Sequence, residues 1–118
     1  MSILNMIVGG GSSLKIYHPE SVTVTSRVAT LTGITKEPVG VIFCQASDNS
    51  DCAYWITDGN GTVLDAKYTA IDSGFPSNRS IGGSYDESTG TFVLSESNNS
   101  YTPFRSPSTC TSNDFYIF

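Results

Sequence analysis

The hydrophobic positions of this chain fall into short runs, several of them alternating, separated by clusters of Gly, Asn, Asp, Ser and Pro. The most apolar run is Val39-Gly40-Val41-Ile42-Phe43-Cys44, and the polar stretch 46–51 separates it from Ala53-Tyr54-Trp55-Ile56-Thr57. Two runs of β-branched and aromatic residues joined across a turn predict a hairpin. It holds the only Trp and two of the three cysteines, which places it at the expected centre of the core. Upstream, Val22, Val24 and Val28 share one parity while Ala29 and Leu31 take the other. Such a change predicts a bulge, or a strand buried on both faces. Downstream, Asp58-Gly59-Asn60-Gly61 is the strongest turn signal and leads into the alternating stretch 62–68.

Residues 69–83 show no periodicity and predict a long surface loop. Ser84-Tyr85 and the run 91–95 flank a five-residue hairpin loop, Asp86 to Gly90. The polar segment 98–113, with Pro103 and Pro107, predicts a wrap around a sheet edge. The closing Phe115-Tyr116-Ile117-Phe118 predicts a strand inside the sheet, since a bare edge of that character would template aggregation. No stretch of ten residues carries a helical stripe. The expected fold is all-β, a single antiparallel β-sandwich or small barrel of about seven or eight strands.

Residues 1–20 stand apart from that body, which spans 21–118. Ile3, Leu4, Met6, Ile7 and Val8 are apolar, and Gly9-Gly10-Gly11-Ser12-Ser13 forms a flexible hinge behind them. So short an arm buries little alone. Two readings stay open: docking on its own sheet, or reaching a neighbouring subunit.

A length of 118 residues fits one hydrophobic core. Charged residues make up 14%, against roughly 25% in ordinary globular domains; Ser, Thr, Asn and Gly replace them. The net charge is −5, and the six bases (Lys15, Arg27, Lys36, Lys67, Arg79, Arg105) are scattered. No nucleic-acid partner is expected, because phosphate affinity needs clustered Lys and Arg. Nor is a membrane partner, since no segment approaches the ~20 apolar residues of a span. The first residues lack a positive start and an apolar leader core, which predicts synthesis and initial retention in a cytoplasm.

Candidate chemistry is sparse. Cys44 and Cys52 flank the central turn, and two readings are weighed: reduced thiols packed as small hydrophobes, or a bridge formed in an oxidising medium. Zinc is not expected, with one histidine, His18, and no CxxC. Asp58 to Val63 resembles the middle of an EF-hand loop, but that register puts Ile56 and Lys67 at ligand positions, so a turn is the better reading. Asp48, Asp51 and Asp58 form a loose acidic group that reads as solubilising. Nothing brings His18 to a cysteine or serine as a base, so no catalytic residue, metal or cofactor is assigned and a non-enzyme is expected. Sugar binding has more to offer: Tyr54, Trp55, Tyr68, Tyr85, Tyr101 and Tyr116 supply flat faces, and Asn98, Asn99 and Asp114 supply amides and a carboxylate; Tyr54, Trp55, Asn98, Asn99 and Tyr101 form the candidate glycan site. The competing reading is that Trp55 fills the core.

The order of these motifs resembles a small β-domain of virion proteins from tailed bacteriophages that infect Gram-positive bacteria. The resemblance rests on Leu31-Thr32-Gly33-Ile34, Lys36-Glu37-Pro38, Val39 to Phe43, Gly90 to Leu94 and the closing Phe115 to Phe118, and covers roughly residues 21–118. Its logic is similar to that of H-type lectin-like sandwiches in tail fibres. The resemblance implies a capsid-decorating or head-fibre component made in the bacterial cytoplasm and carried in the virion. Its partners would be other virion proteins of head or tail, and further copies of itself. The apolar arm residues (Ile3, Leu4, Met6, Ile7 and Val8) would form the anchor. The alternative it implies is a lectin-like module of a tail fibre or receptor-binding protein that meets a host surface glycan.

Overall fold

A computed structural model describes residues 15–44, 51–72, 75–96 and 110–118. The fold is all-β: eight strands, all pairs antiparallel, in one curled sheet that forms a half-barrel. The strands are β1 (Ser21–Thr25), β2 (Val28–Thr32), β3 (Gly40–Cys44), β4 (Asp51–Thr57), β5 (Val63–Asp72), β6 (Phe75–Asp86), β7 (Thr91–Glu96) and β8 (Phe115–Ile117). Their order across the sheet is β1-β2-β7-β6-β5-β4-β3-β8.

The predicted central hairpin is present as β3 and β4, in register from Gly40 opposite Ile56 to Cys44 opposite Cys52. The period of two sends Val41, Phe43, Ala53 and Trp55 inward, all buried. They meet Ala29, Leu31, Phe92 and Leu94 from the β2–β7 side in one apolar cluster. Trp55 is 6% exposed, and its ring sits edge-on to Phe92 with centroids 4.9 Å apart. The sheet curls through β6, which pairs with β5 as far as Ser80 and with β7 from Ile81 onward. Gly83 lies just past that switch, where the indole of Trp55 and the ring of Phe92 leave no room for a side chain.

Three expectations need correction. The parity change after Val24 is neither a bulge nor a doubly buried strand but a two-residue hairpin. Thr25 pairs with Val28, and Ser26 and Arg27 take φ of 51° and 70°. Residues 69–83 are no surface loop: β5 and β6 run through them as a long hairpin, Asp72 opposite Phe75. β8 is not interior either; it ends the sheet. Its outer edge is nonetheless covered, because Tyr17 and Ile117 exchange backbone bonds of 2.9 and 2.8 Å and His18 Nδ1 donates to the Phe115 carbonyl at 2.7 Å. The apolar strand avoids a bare edge through this cap rather than through a central position.

The turns follow the sequence more closely. Asp58 Oδ1 accepts the backbone N–H of Asn60 (2.7 Å) and Thr62 (3.2 Å), closing the β4–β5 connection. Asp86 does the same for Ser88 at the β6–β7 turn, and those bonds hold its carboxyl below the usual range.

Candidate functional site

The inward faces of β3, β4, β5 and β8 fill the core, so chemistry available to a partner lies on their outward faces. Those faces are unusually apolar. Reading across the register, Tyr116, Ile42 and Tyr54 stand side by side on β8, β3 and β4, followed by Lys67 on β5. The next rows bring Cys44 beside Cys52 and Ile56 beside Asp65. A register shift between Ile56 and Thr57 inserts Leu64 as an extra residue on β5. Val63 and Leu64 are thereby left 46% and 62% exposed.

Together these residues shape a groove of about 470 Å³. Ile42, Cys44, Cys52, Tyr54, Ile56 and Leu64 line it, and Asp65 marks one rim. The rim is ordered by hydrogen bonds. Tyr54 Oη donates to Asp65 Oδ2 at 2.7 Å, and the Asp65 Oδ1 atom accepts the Ala66 N–H at 3.0 Å. The bond to Asp65, ahead of burial, keeps the Tyr54 hydroxyl above its ordinary pKa. Lys67 approaches the same carboxylate at 3.8 Å, an exposed pair of little energetic weight. A second, smaller concavity of about 250 Å³ lies between Thr35, Lys36, Glu37, Tyr85 and Glu87 and is about half polar. Tyr85 is tied to the Ile34 carbonyl there at 3.1 Å, and burial followed by Glu87 raises its pKa.

The candidate residues named from sequence are distributed unevenly. Tyr54 lines the outer groove with a half-buried ring. Trp55, its neighbour, points the other way into the core and presents no open face for a sugar. Asn98, Asn99 and Tyr101 lie outside the described residues, as do Ile3, Leu4, Met6, Ile7 and Val8 of the arm and Asp48 of the acidic group. Asp58 spends its carboxylate on its own turn. Cys44 and Cys52 are directly opposed across β3 and β4, exposed, and carry free thiols. Sequence reasoning missed Ile42 and Leu64 as surface residues, whereas Tyr116, offered from sequence as a stacking face, is exposed. The signal existed in β3, where an unbroken apolar run means that alternate residues face outward. In β5 the bulge hid it.

Chemically the groove offers dispersion contact, one phenol and two thiols. Among the described residues no set of three His, Cys, Asp or Glu side chains converges to hold a metal ion. His18 is committed to the Phe115 carbonyl, with its ring tilted against Tyr116 at 5.1 Å. No helix among the described residues is long and apolar enough to cross a membrane. No family model, curated protein or solved structure matches the chain.

Proposed function

We propose that this chain is a non-enzymatic structural subunit of a phage virion, of the capsid-decorating or head-fibre kind, that works by assembly. In this reading the half-barrel is the body of a small β-sandwich or barrel. Its outer groove receives the apolar arm of a neighbouring copy: Ile3, Leu4, Met6, Ile7 and Val8. The motif resemblance supplies the virion context; the apolar outward face of β8, β3, β4 and β5 carries the argument for assembly.

Three observations favour the arm as occupant. The chain preceding Lys15 is fourteen residues long, and its junction with the body lies at the β8 edge, where Tyr17 pairs with Ile117. Tyr116 on that same strand begins the apolar row, so the arm originates beside the face it would cover. In this reading the glycines and serines at 9–13 let it leave its own body, and such an arm adds contact without any catalytic geometry. The net charge of −5 also matters: like-charged copies repel, so association has to come from apolar contact.

Sedimentation of the full chain, beside a chain lacking residues 2–8 and the variant Leu64→Asp, tests this. The full chain should run as a multiple of 12.6 kDa, and both changes should return it to the mass of a single chain with an unaltered circular dichroism spectrum. A full chain that stays monomeric at high concentration overturns the reading.

A further inference from the structure

Cys44 and Cys52 occupy a particular kind of cross-strand position. Gly40 and Phe118 exchange backbone bonds (Phe118 N–H to Gly40 O, 3.0 Å; Gly40 N–H to Phe118 O, 3.1 Å), so the polar backbone groups of Gly40 face β8. Thr57 N–H donates to Val39 O at 2.8 Å, so the Val39 carbonyl faces β4, while its N–H turns aside to Phe118 O at 2.8 Å. Counting along β3 by twos, Val41 and Phe43 form the hydrogen-bonded pairs with Trp55 and Ala53. Cys44 and Cys52 are therefore a non-hydrogen-bonded pair. In antiparallel sheets such pairs bring Cα atoms to about 4.5 Å, with side chains on the same face and closer than in the alternative register. Disulfides span Cα separations of about 4.4–6.8 Å. The usual spacing of such a pair falls within that range.

We propose that Cys44 and Cys52 are a disulfide-forming site, closing when the protein meets a low-molecular-weight disulfide. The thiolate of one cysteine attacks the oxidant, forming a mixed disulfide and expelling one small thiolate. The second cysteine's thiolate then attacks the mixed disulfide at the protein sulfur and expels the other. Two protein thiols lose two hydrogens in all, and the oxidant becomes two thiols. The site is exposed, at the end of β3 and on the wall of the outer groove, so the oxidant has access. Burial at that wall, then the neighbouring Cys52 and last the Asp114 carboxylate, push the Cys44 thiol above its ordinary pKa. Closure through the Cys44 thiolate accordingly speeds up as the pH rises. Cys110 is buried beneath the sheet and takes no part. The bond would tie β3 to β4 beside Tyr54 and stiffen one wall of the groove.

The test is to incubate the full reduced chain with oxidised glutathione, then measure intact mass and label residual thiols under denaturing conditions. The site predicts a mass lower by two hydrogens, a single labelled cysteine (Cys110), and a proteolytic map linking the peptides that contain Cys44 and Cys52. Cys52→Ser should instead keep a glutathione adduct on Cys44. Three labelled cysteines in the wild-type chain, a stable mixed adduct at Cys44, or a bridge through Cys110 would each overturn the proposal.

Discussion

Gly83 sits where two aromatic rings converge. A Cβ built there would lie 2.6 Å from Trp55 Nε1 and 2.8 Å from Phe92 Cζ, closer than packed atoms tolerate. Both rings are held by the core and neither can swing away cheaply. Inserting a methyl into a filled core costs about 1–3 kcal/mol. The reduced chain entropy of alanine in the unfolded state returns at most about 0.4–1 kcal/mol of that. Gly83→Ala should therefore lower stability by roughly 1–2 kcal/mol, read as an earlier midpoint in urea with an unchanged slope. An unchanged midpoint would mean that the indole has room to move. At this scale Trp55 was legible, because a lone Trp in the most apolar hairpin has few better places to go. Gly83 was not. Its requirement comes from rings 28 and 9 positions away in sequence, and no local pattern announces a missing side chain.

Strand β3 and the β6–β7 turn could be read directly, since their hydrophobic runs and their Asp and Gly signals agree. The β1–β2 hairpin could not. A two-residue connection of this hand places both residues at positive φ, where Asn-Gly is the usual choice. Ser26 and Arg27 occupy it instead, at 51° and 70°. Without the turn signature, the parity change passed for a bulge. The same misfit is a stability reserve. A non-glycine residue in the left-handed region costs about 1–2 kcal/mol, so replacing Ser26-Arg27 with Asn-Gly should raise stability by about 1 kcal/mol. Thermal unfolding followed by circular dichroism checks it, and a lower melting temperature would contradict it. The β5–β6 hairpin escaped for a different reason: its serines, Pro76, Asn78 and paired glycines have poor strand propensity. Its register is imposed by neighbours on both sides, β4 and β7, rather than by its own composition.

For the whole molecule, pattern and composition were enough for an all-β, antiparallel fold of about seven or eight strands, and not for the single curled sheet that these strands form. The curl depends on one strand changing partners between Ser80 and Ile81, a tertiary event with no sequence marker. The candidate site divided along the same line. Cys44 and Cys52 could be paired from the hairpin alone, whereas the apolar groove needed four strands in register, with a bulge at Leu64, before it existed. A curled sheet with a filled inner face and an apolar outer one is a body with something left to cover. The account assigns that covering to the arm of another copy. An isotope-filtered NOE experiment on mixed labelled and unlabelled protein asks this directly. Contacts between methyl groups of Ile3, Leu4, Ile7 or Val8 on one copy and Ile42, Tyr54 or Leu64 on another are the predicted result. Contacts confined within a single copy, or none reaching that groove, would contradict it.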